Sequence, residues 1–249
     1  MIHPLIENLK RLRLSGIAEA LETQLKNPAS EDLLFEERLA MLIDNELMTR
    51  ENKRLLNRLK NAKFRQNACF QDIDYKSPRG LDKRHFMTFE NCEWISTHKN
   101  ILITGPTGTG KSYLAEALAH NACMKGFVAQ RLQLPRFFNQ LTAAKADGSY
   151  LKWLTDLGKC GVLLIDDFGV APLNEENRRD LLEIVDERYN AKSTIITSQL
   201  PLKMWHEAIG DKTLADAILD RLVHNAHRIE LRGESMRKQQ SSTIKEVNP

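Results

Sequence analysis

These 249 residues contain no apolar run approaching the length that crosses a bilayer, no C-x-x-C pair and no histidine at zinc-ligand spacing. The start, Met1-Ile-His-Pro-Leu-Ile-Glu7, lacks the long apolar stretch of a secretory signal. Repeats and low-complexity tracts are missing as well, which excludes solenoid architectures. The cysteines, Cys69, Cys92, Cys123 and Cys160, lie far apart and read as buried or incidental thiols of a reducing compartment. The expectation is a cytoplasmic protein with no membrane partner. Net charge is also slight, +3 from 36 basic and 33 acidic residues.

The placement of that charge is uneven. Residues 50–84 hold 11 Lys/Arg against 4 Asp/Glu, so the rest of the chain is net acidic. From about Arg50 the pattern reads as a basic amphipathic helix. Leu55, Leu56, Leu59 and Ala62 fall on one side, and Arg50, Lys53, Arg54, Arg58 and Arg65 opposite. Most charge runs are solvated faces of a bundle, but a row of cations with few acids among them also suits the phosphates of duplex DNA. No helix-turn-helix or zinc module is present, so contacts to the backbone would position the protein largely without reading sequence. Lys145, Lys152 and Lys159 are further candidates to face DNA.

The most specific motif is Gly105-Pro-Thr-Gly-Thr-Gly-Lys-Ser112, a complete G-x-x-x-x-G-K-[ST] loop directly after the apolar run Asn100–Thr104. Backbone N–H groups in such a loop cradle a polyphosphate at the mouth of the helix that follows. The expected nucleotide-binding residues are Gly105, Pro106, Thr107, Gly108, Thr109, Gly110, Lys111, Ser112 and Tyr113. Lys111 would reach the β- and γ-phosphates, and the Ser112 hydroxyl would hold Mg²⁺. The cofactors expected are therefore ATP and Mg²⁺.

Apolar periodicity places helices over the first 65 or so residues. Leu5, Leu9 and Leu12 share one face and Ile17, Leu21 and Leu25 another, with a break at Ser15-Gly16 and Ser30 as an N-cap. Asp72–Gly80 reads as a linker. Beyond it the chain alternates strands, expected at 100–104, 127–131, 162–166, 194–198 and 227–231, with helices including 174–189 and one opening at Pro201. That alternation implies a parallel sheet covered on both faces. The expected divisions are a helical N-terminal domain over 1–72, an α/β domain over 73–240 and a flexible tail over 241–249.

Two strand ends carry polar groups. Val162–Ile165 delivers Asp166 and Asp167 to the carboxyl edge of the sheet, where open α/β folds bind ligands. Asp166 can hold Mg²⁺ opposite Ser112, and Asp167 can orient and deprotonate an attacking water. Thr194–Thr197 ends in Ser198 and Gln199, either of which could sense the γ-phosphate or cap the helix at Pro201.

Together with Ala217-Ile-Leu-Asp-Arg-Leu222, Asp186-Glu-Arg-Tyr189 and Arg232-Gly-Glu-Ser-Met-Arg237, these phrases resemble the AAA+ superfamily. More narrowly they resemble its DnaC/IstB branch of helicase loaders and insertion-sequence transposition helpers, the IstB type above all. The resemblance implies a P-loop AAA+ ATPase core, a five-stranded parallel sheet between helices, preceded by a small all-α domain and without a full helical lid. It implies Walker A at Gly105–Ser112, Walker B at Val162–Asp167 and sensor 1 at Gln199, where the superfamily usually has Asn. Arg221 matches the arginine finger supplied to a neighbouring subunit, and Arg237 would do some of the work of the lid arginine. Catalysis would then rest on Lys111, Asp166, Asp167, Gln199 and Arg221. The implied function is ATP-dependent assembly on duplex DNA that recruits and stimulates a cognate transposase, with hydrolysis driving disassembly. A replicative helicase loader shares the same core, a small-molecule kinase shares the loop, and a non-hydrolysing scaffold would use ATP only to hold copies together.

Overall fold

The computed structural model describes residues 2–30 and 32–236; Arg237 and the expected tail lie outside the described residues. The chain divides into two compact units, Met1–Asn57 and Arg58–Pro249. Contacts thus divide the chain earlier than composition does. The reason is that residues 58–72 already pack within the second unit: Ala62, Ala68 and Phe70 are buried there.

The first unit comprises α1 (Ile2–Arg11), α2 (Ser15–Lys26), a 3₁₀ turn (Pro28–Ser30) and most of α3 (Phe35–Ala62). Gly16 is where α2 meets α3: a Cβ there would lie 2.7 Å from the Glu46 Cα. The Glu46 carboxylate accepts from the free N–H groups of Gly16 and Ile17 at 2.7 and 3.1 Å, satisfying donors that a helix start leaves open. Ser30 is not the expected N-cap. It closes the 3₁₀ turn, and α3 starts later, where the Glu37 carboxylate reaches back to the Leu34 N–H at 3.0 Å. Several apolar residues whose spacing places them on shared helix faces are open instead, including Leu5, Leu12 and Leu25, because so small a unit cannot cover them.

In the second unit two short helices, α4 (Lys83–Met87) and α5 (Glu93–Ser96), precede the sheet. Then follow β1 (Asn100–Thr104), α6 (Lys111–Met124), β2 (Ala129–Gln133), α7 (Leu134–Ala146), α8 (Tyr150–Lys159) and β3 (Val162–Phe168). The chain continues through α9 (Glu175–Arg188), β4 (Ser193–Ser198), α10 (Trp205–Ile209), α11 (Lys212–Val223) and β5 (Ala226–Glu230). All strand pairs are parallel, in the order β2-β3-β4-β1-β5. Leu102, Leu163, Ile165 and Ile196 point into a core shared with α7–α11, while α6 packs on the other face. The expected α/β architecture, a five-stranded parallel sheet between helices after a helical N-terminal region, is the one present.

Among the boundaries that differ from the sequence reading, three have a local cause. β2 runs over 129–133 rather than 127–131, since ladder pairing with β3 starts at Ala129 opposite Val162. As an edge strand it tolerates Gln130, Arg131 and Gln133, which blurred its period. Pro201 precedes a 3₁₀ turn (Leu202–Met204), not the first turn of an α-helix. The basic helix ends at Ala62, with Lys63 at φ 56°, so Arg65 lies beyond it.

Candidate functional site

Thr104 hands the chain to the phosphate loop, and Gly105, Gly108 and Gly110 take φ values of 147°, 84° and 90° there. Only glycine enters these angles without strain, and at Gly105 a Cβ would also lie 2.4 Å from the Leu231 carbonyl oxygen. Lys111 opens α6 and is buried; its ammonium folds over the loop and donates to the Pro106 carbonyl at 2.8 Å. Burial lowers its pKa, with Asp167 and Asp166 opposing that shift. Tyr113 is half-buried, and burial raises its phenol.

β4 lies between β1 and β3, which sets its polar end between the loop and the paired carboxylates. β3 carries one extra residue there: Ile165 pairs with Ile196, yet Phe168 pairs with Ser198. This bulge holds Asp166 and Asp167, and Asp167 sits in the left-handed region at φ 59°. Bulges and strained backbone of this kind re-aim side chains at functional sites.

The buried Asp166 carboxylate accepts from Ser112 Oγ at 2.8 Å, Thr197 Oγ1 at 2.6 Å and Arg131 at 2.5 Å. Burial works to raise this carboxyl, but the three hydrogen bonds prevail and hold it below the usual carboxylate range. Asp167 moves the other way, raised by burial and by the charge of Asp166. Adjacent carboxylates are thus driven to different protonation behaviour, the arrangement that separates a permanent anion from a proton acceptor.

A hydroxyl and a carboxylate 2.8 Å apart are hard oxygen donors, the kind Mg²⁺ accepts alongside phosphate oxygens and water. Among the described residues no group of three or more His, Cys, Asp or Glu could hold a metal ion. These residues fit Mg²⁺ with a triphosphate in the loop.

Gln199 meets the loop directly, its side-chain oxygen accepting from Thr107 Oγ1 at 2.6 Å. Ser198 turns away to donate to the Phe168 carbonyl at 2.7 Å. Thr197, which sequence reasoning passed over, is the β4 residue that touches Asp166; it also accepts from the Asp167 N–H at 3.0 Å. Arg79 is a second omission. Buried in the linker segment, it donates to the Thr109 carbonyl at 2.9 Å and the Asp74 carbonyl at 2.7 Å, bracing the loop from behind. Leu231–Met236 runs back along the loop's other side, where the Met236 N–H donates to the Gly108 carbonyl at 3.0 Å. Arg131 and Glu116 complete the missed set. A lone acid inside the apolar Leu114–Ala119 stretch was the only signal in the sequence.

Arg221 is not near the loop of its own chain. Its carbonyl accepts from Asn100 Nδ2 at 3.2 Å, at the start of β1, whereas the loop leaves the far end of that strand. Its guanidinium pairs with Asp186, donates to the Ala217 carbonyl at 2.8 Å and lies 6.0 Å from the Tyr189 ring centroid.

Of the basic residues, Lys53 and Arg54 are exposed. Arg50 pairs with Glu46 at 2.7 Å. Arg58 is half-buried and spends its Nε on the Cys123 carbonyl at 3.0 Å, because α3 passes the end of α6 there. Arg65 is exposed but off the helix. Lys145 does not face solvent as a free cation; it pairs with Glu176 and Asp180 at 2.8 and 2.7 Å.

A family model described as IstB-like ATP binding protein matches residues 7–244. An insertion sequence ATP-binding protein of Sinorhizobium fredii is 47% identical over 240 residues, covering 96% of this chain and 98% of its own. Among solved structures, DnaI superposes with a TM-score of 0.58 at 21% identity, covering 66% of this chain and 91% of its own. AMPPCP-bound DnaA from Aquifex aeolicus gives 0.58 at 19% identity, covering 75% of this chain and 57% of its own. At such identities the two structures speak for the AAA+ fold alone. Among the described residues no helix is long and apolar enough to cross a membrane.

Proposed function

The chain belongs to the IstB-like ATP-binding family, and from that premise we propose that it is a cytoplasmic, magnesium-dependent ATPase that assembles on duplex DNA and serves transposition. The observation that carries the catalytic half is the hydrogen bond of 2.8 Å between Ser112 and Asp166, made between the helix that follows the phosphate loop and the carboxylate strand. The loop amides and Lys111 bind the phosphates, and Ser112 and Asp166 hold Mg²⁺, which supplies neutralising charge to them. Asp167 orients the attacking water and accepts its proton; a raised pKa suits a base over an ordinary surface carboxylate. Gln199, tied to Thr107, reports the state of the loop to β4.

Arg221 acts in trans. β1 has five residues, about 16 Å of strand, between it and the loop of its own chain, which supports its use at a neighbouring copy's nucleotide. Hydrolysis then requires self-association, and the exposed cations of α3, Lys53 and Arg54 foremost, engage DNA phosphates without reading bases. Arg50, Arg58 and Arg65 contribute to the local positive field. The assembled complex recruits the cognate transposase, and hydrolysis releases it. A purified chain should hydrolyse ATP faster with duplex DNA present. Asp166→Asn should abolish turnover while leaving the sheet folded; turnover indifferent to that substitution contradicts the assignment.

A further inference from the structure

Ser112 and Glu116 are four residues apart and share one face of α6. That face lies against the side of the sheet that carries Arg131 and Asp166. Arg131 pairs with Leu164 in the ladder, two residues before Asp166 on β3, so all three side chains emerge on the same side. Arg131 fills the space between two buried acids. One guanidinium nitrogen donates to Asp166 at 2.5 Å, and Nε lies 3.0 Å from Glu116 Oε1, an ion pair without hydrogen-bond geometry. The Glu116 carboxylate has two further partners, the backbone N–H groups of Arg65 and Gln66 at 3.1 and 3.0 Å.

The chain from Arg65 to Asp166 is therefore continuous, and each member is buried or fixed by backbone. It starts three residues past the end of α3 and stops at the carboxylate beside Ser112. Burial raises the Glu116 carboxyl against its hydrogen bonds and Arg131, and with both carboxylates ionised one guanidinium leaves the cluster one negative charge in excess. The charge Asp166 gives to Arg131 is charge it withholds from a cation at Ser112, and whatever draws Asp166 away turns Arg131 toward Glu116 alone. The structure holds one of the two arrangements this allows, with Arg131 on both acids. Buried ion pairs respond discretely because an uncompensated charge is costly there.

We propose that Arg131 is a positioning residue for Asp166 and that Glu116–Arg131 is the relay through which the segment after the basic helix and the magnesium-nucleotide site set each other's affinity. The proposal rests on the reading of this chain as a nucleotide- and DNA-binding protein. Glu116 touches neither ligand, so removing its charge should erase the coupling rather than the binding.

Titration of the full chain with a fluorescent ATP analogue and Mg²⁺, with and without a duplex oligonucleotide, measures the coupling as a ratio of affinities. The wild type should show a factor of about 5 or more. Glu116→Gln, and independently Arg131→Lys, whose single ammonium cannot span both acids, should bring it to within about twofold of unity. Magnesium-free nucleotide affinity should stay within about twofold of wild type in both, by the same linkage reasoning. The reverse titration, DNA affinity with and without nucleotide, must change by the same factor, whereas general structural damage lowers both affinities and spares their ratio. Retention of the factor in either folded variant overturns the relay and leaves the proposed function standing, whereas its absence from a wild type that binds both ligands overturns the two together. A wild type that binds neither ligand overturns both.

Discussion

Asp167 combines a left-handed backbone angle with a carboxyl raised by burial, and both follow from the one extra residue that β3 carries beside β4. Its amide is pinned by Thr197 at 3.0 Å, so the side chain rather than the backbone is free to meet water. Asp167→Asn should slow turnover by about 100-fold or more while nucleotide affinity stays near wild type, measured by steady-state hydrolysis and equilibrium binding. Loss of affinity in step with turnover would reassign the residue to binding. The cysteines give a test of the surrounding core. Burial raises the thiols of Cys92, Cys160 and Cys123, the last to about 11, and only Cys69 is partly exposed. A native chain treated with a thiol reagent at mild alkaline pH should react quickly at one position and at the rest only after denaturation.

Among the elements, α9 ends in a knot that no motif announces. Arg188 is buried and donates to the carbonyls of Leu157, Cys160 and Ser193 and to the Thr194 hydroxyl, joining α8, α9 and β4. Arg188→Met removes these four buried hydrogen bonds, at about 0.5–1.5 kcal/mol net each, so a loss on the order of 3–5 kcal/mol is expected in denaturant unfolding. Gly16→Ala forces a Cβ against the backbone of α3 and should cost about 1–3 kcal/mol in the first unit. The sequence made some of this legible and not the rest, for a physical reason. The phosphate loop, Asp166, Asp167 and the order of strands and helices are local patterns, visible because their residues are adjacent or periodic. Arg131, Glu116, Arg79 and Thr197 each depend on at least one partner 30 or more residues away, as the Arg79–Thr109 and Thr197–Asp166 bonds illustrate. Arg131 even hid the end of β2, since a charge balanced by two buried acids looks in one dimension like a surface residue.

At the scale of the whole molecule, the account requires more than one copy. A chain carrying Lys111→Ala and another carrying Arg221→Ala should each be nearly inactive, yet a mixture should regain hydrolysis, because each lends what the other lacks. Absence of complementation would place Arg221 outside the active site and leave its pairing with Asp186 as its role. DNA affinity should fall steeply with salt, and reversing Lys53 and Arg54 to Glu should reduce the log–log slope by about 2 without changing preference among sequences. The most direct measurement is sedimentation velocity of the purified chain with a duplex oligonucleotide, with and without ATP and Mg²⁺. The account predicts multimers on DNA that require the triphosphate and vanish in Lys111→Ala; a monomer under every condition contradicts it.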